Sequence, residues 1–514
     1  MSVPKPWIIF LGAGLFAFFI YVNTLAPTIT WRNSGVDSGD LATAVAVGGI
    51  PHPPGYPTYL LLGELFKRLP FGDIAYRLNL LSATCAALTV TVMGGVIHRT
   101  LLTSIGQKHL LDEEDQKPKP FIRFCAASAS LTLAFSSTFW SQAVIGEVYA
   151  LNALFASLLL YITVHLWPPH EKWLAPGLFG LMGLSLGNHL SILFFMPALI
   201  GLTKARWQWQ RIVAALLAFC IGLSVYAIIP LRAATLPPIN WGLATTWPNF
   251  LWLVSGEPYR QFLFSLPWAF VPTRIMAALR LLAESFMGWG IPVGLVGFYH
   301  FRQANRLFAY ASLVAFFVIL IYAIGYNTTD SYVYLLPALL IFALWLGWGL
   351  YEFSHTLPPF WLSKYLTGAA LLLLPLLSLF LNYSAQDLTQ DYEAYMYARH
   401  SLQSVAPEAV IITDSDSRTF ALWYGRYALK LRSDVAIVNT NLLPYAWYRQ
   451  TLRQAHPDLT LFDQHRQPVA TLPTLVAYNF SKKPIYLATL QLPKLDGYHL
   501  ETLDNLQAVR KSPN

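Results

Sequence analysis

Residues 7–25 read WIIFLGAGLFAFFIYVNTL. The run is uncharged. As a helix it would be about 28 Å long, enough to cross the roughly 30 Å hydrocarbon layer of a bilayer. A short polar head containing Lys5 precedes it. A signal peptide has the same order of polar head and apolar run. This one has no clear small-x-small cleavage site and leads directly into a polar, proline-rich loop, so it reads as a retained first spanning helix.

Composition extends that reading to the whole chain. Of 514 residues, 55% are hydrophobic, 15% aromatic and only 12% charged. The charged share is about half the roughly 25% of soluble proteins, and the mean hydropathy is +0.46. Disorder, collagen-like repeats and a secreted disulfide scaffold are excluded. Cys85, Cys125 and Cys220 lie in apolar runs, with neither a pairing framework nor metal-ligand spacing. Further apolar runs fall near 77–97, 122–139, 148–167, 174–187, 190–203, 212–231, 276–299, 308–325, 333–352 and 365–383. The expected fold is an all-α polytopic membrane bundle of about 11 spans. The runs 174–187 and 190–203 are short and meet at Gly187-Asn188-His189, which predicts a broken or shallow hairpin.

Lysine and arginine orient the bundle. The short loops carrying Arg99, Lys108, Lys117, Lys119 and Arg123, then Lys204, Arg206 and Arg211, then Arg302 and Arg306, belong on the cytoplasmic side. The N-terminus is then cytoplasmic, and the long loops 27–76 and 232–275 lie outside with the C-terminus. The net charge of +8 reflects this loop bias and implies no nucleic-acid partner. From Ser384 onward the chain carries 13 Lys/Arg and 12 Asp/Glu and no membrane-length run. Strands are expected at 409–413, 435–439 and 485–489, with helices at 417–430 and 445–455. That alternation predicts a soluble C-terminal α/β domain with parallel strands. The expected division is 1–383 for the membrane domain and 384–514 for the extracytoplasmic one.

The richest polar stretch is the first outer loop, Trp31-Arg32-Asn33-Ser34-Gly35-Val36-Asp37-Ser38-Gly39-Asp40, followed by His52-Pro53-Pro54-Gly55-Tyr56-Pro57. Prolines stiffen such a loop. Asp37 and Asp40 share a face if the segment is helical, and close carboxylates push one pKa up towards that of a general base. The competing reading makes Asp37 a helix cap. More polar groups fall at outer ends of spans: Arg77, Glu147, Asn188, His189, Arg232, Asn327 and Asp330. Ionisable groups near membrane depth are functional suspects, and their gathering on one side implies an outward-facing polar cavity. Snorkelling and capping are the plainer explanation for each taken alone. No Walker A, HExxH or CxxC pattern is present. Asp414-Ser415-Asp416 follows an expected strand and reads chiefly as a helix cap.

These segments together resemble the protein O-mannosyltransferase-like membrane family. Its hallmark is a first loop of the form Asp-x-Gly-Glu followed by His-Pro-Pro-Gly-Tyr-Pro, matched by Asp37-Ser38-Gly39-Asp40 and His52–Pro57. Ala75–Asn79, Thr138–Ala143, Glu147–Asn152, Gly187–His189, Pro230–Arg232, Asn240–Gly242, Asn327–Tyr332, Thr413–Asp416 and Phe420–Tyr424 are similar in order. One departure is the carboxylate at 40, Asp where the family usually has Glu. The resemblance implies a GT-C glycosyltransferase fold and an inverting transfer of sugar, mannose by analogy, from a polyprenyl-phosphate donor to an acceptor hydroxyl of a protein, glycan or lipid. It makes Asp37 the first choice of catalytic base and Asp40 the runner-up or an orienting partner. Arg77, Arg232, His52 and His189 are the donor-phosphate candidates, since such groups suit developing negative charge. Asn188, Tyr56, Glu147, Asn327, Asp330 and Trp241 are the substrate-orienting candidates. No cofactor is expected, with a divalent ion on Asp37, Asp40, Glu147 and His52 as the alternative. The expected location is a prokaryotic inner membrane. A transporter or lipid flippase is the rival function.

Overall fold

The computed structural model describes residues 5–109, 119–165, 174–195, 208–356, 361–462, 465, 467–491 and 493–513. The second half of the expected span 190–203 and the basic residues Lys117, Lys204 and Arg206 lie outside them.

The chain is a multi-pass helical membrane protein with a five-stranded sheet near its C-terminus. Among the described residues four helices are long and apolar enough to cross a bilayer: Ile74–Thr103, Trp209–Ala234, Arg306–Gly325 and Ser331–Ser354. Shorter apolar helices include Trp7–Asn23, Phe121–Ala134, Tyr149–His165, Ala175–Leu186 and Leu371–Gln386. Two expected spans are corrected. The run 276–299 is a pair of helices, ending at Ser285 and restarting at Gly290, bent by 90°. Met287 and Gly288 adopt left-handed backbone there, which ends a right-handed helix. The run 122–139 breaks after Ala134 and resumes as Ser137–Ala143. Ser378 Oγ and Asn382 Nδ2 both donate to the freed carbonyl of Phe135 at 2.9 Å. A broken helix is tolerated at such depth only when neighbours satisfy its backbone in this way.

The 174–195 region turns as expected at Gly187, between the helix Leu174–Leu186 and a 3-10 turn Leu190–Phe195. A Cβ on Gly187 would meet Thr58 Oγ1 at 2.5 Å, so glycine permits the approach in which Thr58 N donates to Gly187 O at 2.9 Å. This contact brings the hairpin tip to the loop 27–76.

Near the C-terminus, β1 (Val410–Thr413), β2 (Ala436–Asn439) and β3 (Ile485–Ala488) pair in parallel and are fully buried. Two further strands, β4 (Tyr498–Leu503) and β5 (Leu506–Lys511), extend the sheet in the order β2-β1-β3-β5-β4. They are half-polar and lie at one side, so they carry little of the hydrophobic signal that marks a buried strand. Helices Glu393–Ser404 and Leu472–Asn479 are additional to the expected ones, and the expected helix 417–430 is α-helical to Trp423 and continues as a π-helix over Tyr424–Ala428. The helix Asp416–Trp423 packs directly on the helix Ser38–Val47 of the first loop: a Cβ on Gly39 would lie 2.8 Å from Phe420 O. Gly39 therefore sets how closely the sheet region sits on the first loop.

Candidate active site

The first loop positions its two carboxylates through local backbone chemistry. Arg32–Asp37 forms a 3-10 turn in which Asn33 and Ser34 take left-handed conformations, asparagine being among the residues that tolerate them best. Ser38 Oγ donates to Gly35 O at 2.6 Å and locks the turn. Asp37 occupies the cap position of the 38–47 helix yet makes no capping hydrogen bond. Its carboxylate is left for the cleft, and the capping reading is set aside.

The His-Pro-Pro-Gly-Tyr-Pro run closes on itself. Gly55 N donates to His52 O at 2.9 Å, Gly55 and Tyr56 take positive φ, and Pro57 opens the helix Pro57–Phe66. The turn returns the Tyr56 hydroxyl to within 2.9 Å of His52 Nε2.

Asp40 is fully buried. Its Oδ2 accepts the His52 backbone N–H and the Nδ1–H, each at 2.8 Å, while Oδ1 faces Trp241 Nε1 at 3.4 Å. The shorter aspartate therefore reaches the imidazole directly. Asp37 Oδ2 lies 3.4 Å from His52 Nε2, and about 33% of its side chain is open. Burial opposes charge on His52, but the carboxylates of Asp37 and Asp40 outweigh it and lift its pKa to about 9. Burial raises Asp37 to about 6; Asp416, Asp330 and Asp40 add to that, and His52 opposes it. Asp40 thus holds an imidazolium against an accessible carboxylate.

Aromatic rings from distant segments enclose this unit. Phe420 stacks on His52 at 6.2 Å, and Tyr259 and Trp241 meet its edges at 6.3 Å. Glu147 is buried in the turn before the helix Tyr149–His165, with its Oε1 unpartnered, and burial pushes its pKa well above the usual range. Asn188 Nδ2 donates to Val148 O at 3.1 Å. His189 bonds Ser191 Oγ at 2.8 Å and stacks on Tyr56. Asp330 borders the same cluster, and Asn327 N donates to Phe262 O at 2.9 Å, joining the 326–332 loop to the 257–263 turn.

Two expected phosphate ligands are not brought to the cluster. Arg77 donates to the carbonyls of Lys67, Phe71 and Gly72 and staples that loop. Arg232 pairs with Glu64 at 2.9 Å and bonds Gly49 O. Arg274, which the sequence did not single out, donates to Ser331 Oγ and Thr328 O at 2.6 Å, in the loop that carries Asp330. It lies at the end of the long 232–275 loop, where a lone arginine before an apolar run was the available signal. Asp416 was likewise read as a cap. It stands on the first turn of its helix, and burial raises its pKa, opposed by His52 and aided by Asp40. Asp37, Asp40 and His52 meet, but among the described residues no group of three or more such side chains is placed to hold a metal ion. Gly183-Leu184-Ser185-Leu186-Gly187 matches the spacing of a hydrolase nucleophile elbow, but Ser185 is buried and donates to Met182 O.

Two family models match this chain. Residues 37–213 match the protein O-mannosyl-transferase TMEM260 N-terminal domain, and 394–460 match the TMEM260-associated domain 2. These matches show that the chain is similar to the O-mannosyltransferase-like family its sequence resembles. It is 26% identical to protein O-mannosyl-transferase TMEM260 of Mus musculus over 91% of its own length and 68% of that relative's. It is 19% identical to the Dictyostelium discoideum tmem260 protein, over 84% of its length and 57% of that relative's. Its fold is similar to that of ArnT from Cupriavidus metallidurans bound to undecaprenyl phosphate, with a TM-score of 0.62 at 13% identity, covering 98% of this chain and 97% of that one. The apo form of ArnT gives 0.61 at 12% identity over the same shares. The similarity to O-mannosyl-transferases in sequence and to ArnT in fold supports a glycosyltransferase over the transporter reading.

Proposed function

We propose that this glycosyltransferase moves mannose, with inversion, from a polyprenyl-phosphate donor to a serine or threonine hydroxyl of a protein, at the outer face of the membrane. The observation that carries the reading is the pairing of an accessible Asp37 with a His52 held by the sealed Asp40. Asp37 takes the acceptor proton as the acceptor oxygen attacks the anomeric carbon. The bond from that carbon to the phosphate oxygen breaks, and its electron pair leaves with the polyprenyl phosphate. His52, as imidazolium, keeps Asp37 ionised at neutral pH despite its low-polarity surroundings. Tyr56 and Trp241 fix the histidine and its carboxylate, while Asn188, Glu147, Asn327 and Asp330 orient the sugar.

A lipid-linked donor suits the neighbouring surface. An apolar cavity of about 190 Å³ is lined by Ile275, Leu279, Leu282, Phe316, Leu320 and Leu339, with Arg274 at the residue before it. A prenyl chain fits such a lining, and a guanidinium suits a phosphate at its head. The relatives' name supports the mannose and the protein acceptor. The catalytic groups on this chain are enough for the step, so no cofactor is invoked.

The test supplies polyprenyl-phosphate mannose to the purified chain and to Asp37→Asn, with and without chelator, and follows sugar transfer. Wild-type turnover that the variant loses, unaffected by chelator, is expected. A variant that turns over at the wild-type rate would remove Asp37 as the base.

A further inference from the structure

A second cleft, of about 630 Å³, opens where the sheet meets the first outer loop. One face of the Glu393–Ser404 helix lines it through Glu393, Met396, Tyr397 and His400. These fall at i, i+3, i+4 and i+7, the spacing of a single helical stripe. Ala394, Ala398, Ser401 and Leu402 of the same helix are buried in the core. Arg418 and Thr489 complete the wall. The β3–β5 pairing ends at Leu487–Gln507, and Thr489 and Asn505, two positions further along the same register, both line the cleft. Thr489 is 93% buried by its 7% exposure, and its hydroxyl has no partner. A buried hydroxyl without a partner is costly unless something else supplies one.

Trp31 ties this cleft to the catalytic loop. Its Nε1 donates to Ser417 O at 3.1 Å, its ring meets Tyr397 at 5.3 Å, and it lies six residues before Asp37. Six residues span at most about 20 Å. We propose that this cleft is the acceptor subsite and takes an extended polypeptide flanking the hydroxyl presented to Asp37. The proposal rests on the function proposed above and adds where the acceptor binds. Charge of both signs, Glu393 and Asp504 against Arg418, suits peptide side chains. Asn505 and Gln507 suit peptide N–H and C=O groups. A glycan would need an open aromatic face for stacking. Here the two rings close on each other at 54°, and the indole N–H is already used.

The experiment uses the full chain, polyprenyl-phosphate mannose and a pool of peptides with one central threonine and randomised flanks. The mannosylated products are sequenced by mass spectrometry. Wild-type enzyme is expected to select residues within about six positions of the threonine, the reach of an extended chain over the same span. Arg418→Glu shifts that selection from acidic towards basic residues. Asn505→Trp, on the exposed turn, fills the cleft and raises KM for the pool about tenfold, with kcat within about twofold. Flank selection and KM unchanged in both variants would overturn the proposal. So would competition by free mannose oligosaccharide in place of a threonine-to-alanine peptide pool. If the wild type transfers no mannose, the failure belongs to the proposed function. The cleft is then tested by itself with a photo-crosslinker at position 505: capture of the alanine peptides upholds it, and no capture overturns it.

Discussion

Asp37 and Asp40 stand one helical turn apart on the same loop and touch the same histidine, yet their surroundings divide their roles. Asp40 is sealed: its oxygens face two N–H groups of His52 and the Trp241 indole. Asp37 is one-third open and makes no capping bond. The sealed carboxylate orients and charges the histidine; the open one is free to accept a proton from a substrate. Residue type alone does not assign the base. Access and the number of hydrogen bonds already accepted do.

The largest expected effect is on catalysis. Asp37→Asn should lower kcat about 10²–10⁴-fold, the usual worth of a general base, while the fold is retained. Measured single-turnover transfer at the wild-type rate would erase the distinction between the two residues. Asp40→Ala should act mainly on stability, lowering it by about 3–5 kcal/mol in denaturant unfolding because it leaves His52 buried and charged without its main partner. Equal stability for the two variants would mean that Asp40 is not the structural member of the pair.

The pH dependence sharpens the same contrast. Asp37 must be ionised, so kcat/KM should rise through about pH 6; it should fall through about pH 9 as His52 loses its proton. The imidazole pKa is raised in the folded state. Its stabilising contribution is therefore complete below pH 6.5 and is lost as pH rises through about 9, which thermal melts across that window can check. Removing His52 as His52→Gln should abolish the alkaline limb.

Smaller effects separate the arginines. Arg274→Ala should raise KM for the lipid-linked donor about tenfold, whereas Arg77→Ala should leave donor KM within about twofold and cost about 1 kcal/mol per lost loop hydrogen bond. The reverse order would return the phosphate site to the start of the second expected span. Trp241→Phe removes only a long 3.4 Å contact to Asp40, and should cost about 0.5–1.5 kcal/mol of stability.

Much of the first loop was legible in the sequence. Two carboxylates three apart, then a histidine in a proline-rich turn, form the cluster that the fold assembles. Hydrophobicity located most helices and the three buried parallel strands. It could not locate breaks such as Met287–Gly288, where the apolar pattern continues but the backbone turns left-handed. Nor could it mark β4 and β5, whose sides are half-polar. The arginines exposed a deeper limit. Arg77 and Arg232 looked suited to phosphate, yet the fold ties them to backbone carbonyls and to Glu64, because charge and position along the chain do not reveal which carbonyls or carboxylates a guanidinium will meet.

The sequence by itself determined the solvent, through long uncharged runs that only a bilayer accommodates, and the local chemistry of the Asp37–Pro57 loop. The tertiary structure decided which groups act together. Phe420 and Asp416 reach the loop from nearly 380 residues away because Gly39 lets two helices touch. The separation of one carboxylate into water and the other into the core follows from that packing. Periodicity carries the face a residue lies on, but burial and partners depend on segments that the chain brings together only when it folds.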